Sequence, residues 1–374
     1  MKGYAKPLHE FIEGHKIQFV IPVYQRNYDW LIDNCDQLFS DLVKLSRSNR
    51  CSHFFGSIVT SSADSSYNRL VIDGQQRLTT ISLLLLAGIK AVKDGAIEIS
   101  EESKIDEAYE VFLKAKFCNS DRKIKLVPIE NDRIAYDKIF NEEDSFDEDS
   151  KVTRNYRHFY DLLTRKPQAL SFDQLLDAIE RLQIISIELD SDDDAQLIFE
   201  SLNSTGLALT EADKIRNYLL MSLTPEEQHM CFKNYWQKIE QATENQPTKF
   251  LRDYLTIQQQ LQRPVRQSNI YYEWKKYMDG HERKEELVKM LDYAHYYQQV
   301  TEAKLSTAKL SEKMRHICNI ETDVTNVFFI QFLKYASANN LSEDEIFKVI
   351  DLVENYFLTS SLRTPKIFIK EFRY

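Results

Sequence analysis

VIDGQQRLTT, residues 71–80, joins two different secondary-structure patterns in this 374-residue chain. The segment RLVI at 69–72, which includes its first two residues, predicts a β-strand. The strongly apolar run 79–92 after it predicts a buried helix. Gly74 lies in the short polar turn between them. The sequence therefore predicts a strand–turn–helix junction at residues 72–78.

Such a junction suits a phosphate group. The first turn of a helix presents N–H groups that have no intrahelical partner, so anions are favoured there. Gly74 would let a ligand approach the backbone, and Arg77 could donate two parallel hydrogen bonds to a phosphate. Asp73 could hold Mg²⁺ or orient a water molecule, and Gln75 and Gln76 could contact a nucleotide or an attacking water. The alternative is that Asp73 only caps the helix and both glutamines lie at the surface.

A second cluster, IPVYQRNYDW (21–30), places Gln25 and Arg26 among three aromatic residues. Arginine beside aromatic faces binds phosphates or stacked bases well. In the alternative interpretation, the aromatic residues pack the edge of the domain and Arg26 pairs with a carboxylate.

A third cluster, FESLNSTGLALTEAD (199–213), consists mainly of signals that end one helix and start the next. A helix is expected to end at Asn203, with Gly206 as its stop signal. Thr210 should then cap the next helix, with Asp213 in the capping-box position. These capping and stop signals do not account for Glu200 and Asn203, which are therefore the candidate functional residues of this cluster.

Periodicity along the rest of the chain predicts an α+β protein that is mostly α. Strands are expected at 16–22, 54–60, 69–72, 123–128 and 183–189, with 54–72 forming a β-hairpin. Helices are expected at 29–46, 79–92 and 101–117, and an acidic loop at 141–150. From 192 to 358 nearly every segment has helical spacing. We therefore predict a small α/β domain at 1–215 and an all-helical domain at 216–374.

Composition excludes several classes. With 43% hydrophobic and 12% aromatic residues the chain is not disordered, and a net charge of −10 excludes a uniformly basic nucleic-acid coat protein. The five cysteines include no CxxC motif and the N-terminus has no apolar signal region, which predicts a cytoplasmic protein without disulfides. No apolar run is long enough to span a membrane. The classical P-loop and dinucleotide-binding motifs are absent.

The ordered set IPVYQRNYDW (21–30), FFGSIV (54–59), VIDGQQRLTT (71–80) and FESLNSTGLALTEADKIRN (199–217) resembles the N-terminal domain of GmrSD-type restriction endonucleases. The resemblance covers about residues 8–280 well. It implies a ParB/sulfiredoxin-like fold and hydrolysis of a nucleoside triphosphate with Mg²⁺, in defence against phage DNA that carries modifications.

Carried over residue by residue, the resemblance implies a site in three parts. Asp73, Gly74, Gln75, Gln76 and Arg77 would form the nucleotide site, and we add Thr79 to the nucleotide-binding residues. From residue chemistry we expect three catalytic residues: Asp73 as metal or water ligand, Gln75 to position the attacking water and Arg77 to bind phosphate. Gln25 and Arg26 would lie beside them, with Gly56 on the hairpin below. Glu200 and Asn203 would close the pocket.

Many relatives continue into a C-terminal HNH nuclease domain, whose chemistry needs histidines, and residues 359–374 contain none. The chain is therefore expected to be a separate NTPase or specificity subunit, a fragment, or a naturally shortened version. We expect an NTP-hydrolysing sensor or specificity subunit without nuclease activity of its own. Expected partners are modified phage DNA, a separate HNH nuclease subunit and a second copy of the chain, and no membrane. Two alternatives remain: a nucleotide-gated DNA-binding protein with negligible hydrolysis, and a helical adaptor.

Overall fold

The computed structural model describes residues 1–62, 67–117, 123–165, 170–190, 193, 195–202, 209–319 and 323–363. The chain divides into two compact units, Met1–Ala208 (unit 1) and Leu209–Tyr374 (unit 2). Unit 1 contains a mixed sheet flanked by helices, and the described part of unit 2 is helical. The fold is therefore α+β and mostly α, as the sequence predicts.

The elements of unit 1 alternate irregularly between strands and helices. Its described strands are β1 (Lys2–Pro7), β2 (Gln18–Val20), β3 (His53–Ser62), β4 (Asn68–Asp73), β5 (Leu126–Val127) and β6 (Leu182–Leu189). Its described helices are α1 (Leu8–Ile12), α2 (Ile32–Ser46), α3 (Gln75–Lys93), α4 (Ser103–Ala108), α5 (Glu130–Phe140), α6 (Lys151–Thr164), α7 (Phe172–Glu180) and α8 (Ala195–Leu202). A π-helical turn, Tyr109–Leu113, continues α4.

The sheet has the strand order β1-β6-β3-β4-β2-β5. β3 and β4 are an antiparallel pair, and β3 also pairs with β6 in parallel. β2 lies parallel to both β4 and β5, and β1 runs antiparallel to β6. A register shift between Val59 and Thr60 interrupts the β3–β4 ladder opposite the end of β4. The carboxyl end of β4, where Asp73 lies, is thus near the centre of the sheet.

Helix α3 is a central part of the hydrophobic core of unit 1. It is buried around most of its circumference, as the apolar sequence ISLLLLAGI at 81–89 requires. It packs against α6 and α7. At Gly88 a Cβ would lie 2.9 Å from Leu175 Cδ2, so glycine permits the close approach of α3 and α7. This packing fixes the position of the α3 N-terminus.

Lys125 is buried beside the sheet and is 1% exposed. Its Nζ donates hydrogen bonds to the carbonyl oxygens of Ile12 at 3.2 Å, Gly14 at 3.1 Å and Val111 at 3.0 Å. Three acceptors satisfy the three donors of an ammonium group. Lys125 therefore ties together three segments that are distant in sequence.

Unit 2 is built from helices around large aromatic residues. Trp236, Phe250, Tyr254 and Trp274 are at most 1% exposed. The described helices are α9 (Glu211–Leu220), α10 (Pro225–Cys231), α11 (Gln237–Ala242), α12 (Pro247–Gln258), α13 (Ile270–Tyr277), α14 (Arg283–Thr301), α15 (Ala308–Cys318), α16 (Asp323–Ala338) and α17 (Glu343–Arg363).

The capping box expected before α9 is confirmed. Thr210 Oγ1 accepts from Asp213 N at 3.1 Å, and Asp213 Oδ2 accepts from Thr210 N at 3.1 Å. Two donors that the helix leaves open are thereby satisfied. In the parts of the chain that the structure describes, no helix combines the length and apolarity that a bilayer crossing requires.

Several predicted boundaries differ from the structure. The buried helix expected at 79–92 begins at Gln75, because its polar first turn packs against a loop of unit 1. The helix expected at 101–117 spans only Ser103–Ala108 and the π-helical turn to Leu113. The strand expected at 123–128 is two residues long. The edge strand β1 was not predicted, since its residues are largely exposed and show no alternation.

Candidate functional site

The junction between β4 and α3 is built on Gly74. Strand β4 ends at Asp73, and Gly74 has φ +94° and caps α3 without a side-chain hydrogen bond. A Cβ at Gly74 would lie 2.9 Å from Ile58 Cγ1, so both its conformation and its neighbours require glycine. The first intrahelical bond runs from Leu78 N to Gly74 O at 3.1 Å. The N–H groups that precede it form the helix terminus that favours an anion.

Arg77 lies across the β3 strand at Gly56. A Cβ at Gly56 would be 2.7 Å from Arg77 Nε and 2.9 Å from Cζ, and Gly56 itself has φ +115°. Arg77 Nη1 donates to Ser57 O at 3.0 Å. Its nearest described carboxylate oxygen, on Asp73, is 3.9 Å away. Arg77 is therefore held by one backbone acceptor and a long ion pair, which leaves further donors of the guanidinium for a ligand.

Asp73 combines burial with neighbouring positive charge. Burial raises the pKa of its carboxyl, while Arg77, the Gly74 N–H and Arg26 oppose the rise. The side chains of Asp73 and Arg77 are 22% and 27% exposed. The site thus contains one half-buried carboxyl and two guanidinium groups at the end of a central strand.

The side-chain amides of Gln75 and Gln25 are linked by hydrogen bonds that lead to the backbone of β4. Gln75 Nε2 donates to Gln25 Oε1 at 3.2 Å, and Gln25 Nε2 donates to Ile72 O at 2.9 Å. They are 3% and 7% exposed, respectively. Within the described ranges, Gln75 Oε1 accepts no hydrogen bond from the protein. Gln25 therefore orients Gln75 and leaves the Gln75 carbonyl oxygen for a donor such as water.

Gln76 does not face the site but holds the loop 24–30, which carries Arg26. Its Oε1 accepts from Asp29 N at 2.8 Å and Trp30 N at 3.2 Å, and its Nε2 donates to Asn27 O at 3.2 Å. Its amide is 8% exposed and bonded on both sides. The structure thus assigns Gln76 a positioning contact, in place of the ligand contact that the resemblance implies.

Two residues that sequence reasoning missed also anchor this loop. Tyr28 N donates to Asp132 Oδ2 at 2.6 Å, and Asn155 Nδ2 donates to Tyr28 Oη at 3.0 Å and Trp30 O at 2.9 Å. Burial raises the pKa of Asp132 to about 6. Both residues are more than 100 positions away from the loop, so local sequence patterns carry no sign of them.

The loop has the packing that the alternative interpretation describes. Tyr24 and Tyr28 are 2% and 4% exposed and belong to the core. Arg26 Nη1 lies 3.8 Å from Asp29 Oδ2, and Asp29 also pairs with Lys151. The aromatic residues therefore support the loop, and Arg26 is the residue that the loop brings towards Asp73.

Three predicted site residues remain: Thr79, Glu200 and Asn203. Thr79 is 2% exposed inside α3. Glu200 lies on α8, which packs against β4, and its Oε1 accepts from Gln196 Nε2 at 3.0 Å. Asn203 lies outside the described residues. The structure therefore brings Arg26, Gly56, Asp73, Gln75 and Arg77 together.

One family model matches the sequence. The model of the GmrSD restriction endonuclease N-terminal domain matches residues 8–220, which is more than half of the chain. The chain belongs to this GmrSD family. A search of curated proteins found no match. The matched residues include the whole β4–α3 junction, the loop 24–30 and α8.

Family membership identifies this GmrSD-family chain as a component of a restriction system. Among the described residues no group of three or more His, Cys, Asp or Glu side chains could hold a metal ion. A magnesium ion does not need such a group, because it binds through one or two carboxylates, water and substrate phosphates. The half-buried Asp73, whose described ion pair is long, fits this role.

Proposed function

We propose that unit 1 binds a nucleoside triphosphate together with Mg²⁺ and hydrolyses it, as the sensor or specificity component of a restriction system acting on modified DNA. The observation that carries this proposal is the position of the Arg77 guanidinium, which lies over Gly56 beside Asp73 and the start of α3. Position 56 requires glycine for two reasons: the Arg77 guanidinium lies where a Cβ would be, and φ is +115°.

Charge supports a polyphosphate ligand. Arg26 and Arg77 both act on the Asp73 carboxyl, and the α3 terminus adds partial positive charge. Arg26 also lies 3.8 Å from Asp29, but Asp29 pairs with Lys151 as well, so these three cationic groups face two carboxyls. The negative charge of a triphosphate would offset this local excess of positive charge. Arg77 would donate to phosphate oxygens through the nitrogens that Ser57 O does not use, and Arg26 would approach from the loop that Gln76 holds.

Hydrolysis requires an oriented water molecule as well as charge stabilisation. Gln75 Oε1 would accept a hydrogen bond from the water that attacks the γ-phosphorus, while Gln25 fixes the rotamer of Gln75. As the bond from phosphorus to the bridging oxygen breaks, Arg77 and Arg26 would stabilise the charge that develops on the phosphate oxygens. Bound Mg²⁺, held by Asp73, would supply further neutralisation of the phosphates.

Phosphate release from ATP, GTP, CTP and UTP tests the proposal. We expect Mg²⁺-dependent release by the full chain, and at least a hundredfold loss in Arg77→Gln and Asp73→Asn. Arg157→Gln is the matched control, because Arg157 is an exposed arginine on α6 that pairs with Glu148. Equal rates in all four proteins would refute the site.

Binding experiments separate hydrolysis from its alternatives. Tight nucleotide binding without phosphate release would make the protein a nucleotide-gated DNA-binding protein. No nucleotide binding in calorimetry would leave an adaptor role. Modified phage DNA, a separate HNH nuclease subunit and a second copy of the chain are the partners that we propose, and the cytoplasm is the proposed location.

A further inference from the structure

A polar cavity in unit 2 lies where α12 approaches the segment before α13. Its volume is about 470 Å³. Its lining residues are Gln246, Thr248, Lys249, Arg252, Gln267 and Ile270. Five of these six side chains carry hydrogen-bond donors, two of them cationic, and none is acidic. This donor set is suited to an anion with several acceptor oxygens.

The helices that line the cavity are basic in sequence although the whole chain has a net charge of −10. One carboxylate from α9, Glu211, reaches the start of α13, where it accepts from Tyr271 N at 2.8 Å and also pairs with Lys214. Between positions 246 and 276 the sequence has six Lys and Arg residues and only two acidic residues. One of the acidic residues, Asp253, is fully buried beside Arg252 at 3.4 Å. The other, Glu273, contacts Lys276 at 3.4 Å. The positive charge is therefore concentrated on one hairpin of helices.

Helix α13, which contributes Ile270 to the cavity, also carries an exposed aromatic side chain on another of its faces. Tyr272 on α13 is 60% exposed, and Lys276 Nζ lies 4.2 Å from the centre of its ring. Arg263 and Arg266, in the α12–α13 connection, are exposed. Basic residues interspersed with exposed aromatic residues are typical of surfaces that bind nucleic-acid backbones and stack on bases.

We propose that this cavity binds a backbone phosphate of a nucleic-acid strand, and that the α12–α13 surface is the nucleic-acid contact of unit 2. A strand explains both the cavity and the basic surface around it, whereas a free phosphate would use the cavity alone. This inference deepens the proposed restriction function by naming the surface that contacts its nucleic-acid partner, and it does not require hydrolysis.

Fluorescence anisotropy with a labelled DNA duplex tests the inference on the full chain. Lys249→Glu and Gln267→Glu change exposed side chains, so we expect both variants to fold, and circular dichroism checks this. We expect each to weaken binding about tenfold or more at 50 mM salt. Lys249→Ala should reduce the slope of log Kd against log salt by about one. Lys309→Glu is the matched control, because Lys309 is exposed and lies on α15.

A second arm distinguishes the source of the phosphate. Calorimetric titration with inorganic phosphate and with ATP should show no difference between the wild type and Gln267→Glu. A loss confined to inorganic phosphate or ATP, with DNA binding unchanged, would overturn the assignment to a nucleic-acid strand. Absence of DNA binding by the wild type, or equal binding by all variants, would also overturn it. Phosphate release by the wild type without DNA reports separately on the proposed hydrolysis.

Discussion

Gly56→Ala is the substitution that tests the geometry of the site most directly. The new Cβ would lie 2.7 Å from Arg77 Nε and 2.9 Å from Cζ, distances at which one group must move. Because the arginine end is more flexible than β3, we expect the guanidinium to shift. The shift would break the hydrogen bond from Arg77 Nη1 to Ser57 O, now 3.0 Å.

Two costs add in this variant. Alanine at φ +115° costs about 1–3 kcal/mol of backbone strain. Loss of a hydrogen bond from a charged donor costs about 1.5 kcal/mol at a partly exposed site. We therefore expect a loss of about 2.5–4.5 kcal/mol in the local free energy of unfolding, and a large loss of nucleotide affinity.

Hydrogen exchange of peptides from β3 and α3, followed by mass spectrometry, measures this loss locally. Gly95→Ala is the control, since Gly95 has φ +69° and no atom within 4 Å of the added Cβ, so only strain of about 1 kcal/mol applies. In an Arg77→Ala background, Gly56→Ala should cost only its strain. Additive effects of the two substitutions would refute the contact between Arg77 and Gly56.

Three further substitutions test the supports of the site. Gln76→Ala removes three hydrogen bonds to loop 24–30, so the loop should lose about 2–3 kcal/mol of protection against hydrogen exchange. Gln37→Ala, at an exposed position of α2, should change this protection little. Asp132 has a pKa of about 6, raised from 3.8, so the folded state binds its proton more tightly and stability falls as pH rises from about 4 to 6. Urea unfolding of Asp132→Asn across this range should lose up to about 3 kcal/mol of that pH dependence, and an unchanged profile would contradict the burial of the carboxyl. Lys125→Met leaves three carbonyl groups without their donor and should destabilise unit 1 by about 3 kcal/mol in urea. A loss no larger than that of Lys44→Met, at an exposed position of α2, would contradict the role of these three hydrogen bonds.

Local pattern was sufficient for the main elements of unit 1. The alternation at 183–189 and the apolar run at 79–92 correspond to β6 and α3, since both signals arise from burial of one element. The start of α3 at Gln75 was missed, because Gln75 and Gln76 are buried by hydrogen bonds to a distant loop. Local polarity gives no information on such contacts.

The residues of the candidate site likewise divide into those with a local sequence signal and those without one. Arg26 and Arg77 have a local signal, because arginine next to aromatic residues or in a glycine-containing strand–helix junction is chemically suited to phosphate. Asp132 and Asn155 have none, since each acts through one or two hydrogen bonds to a loop more than 100 residues away. The residues proposed to contact a ligand belong to local motifs, whereas the residues that position them depend on tertiary contacts.

The strand order β1-β6-β3-β4-β2-β5 has a consequence for biosynthesis. β1 leaves the ribosome first, but its pairing partner β6 is the last strand of the sheet to be made. β3 also waits for β6, with which it pairs from His53 to Ser61. The nascent sheet therefore remains incomplete until about residue 189 has emerged, and chaperones that bind nascent chains have the longest access to β1 and β3.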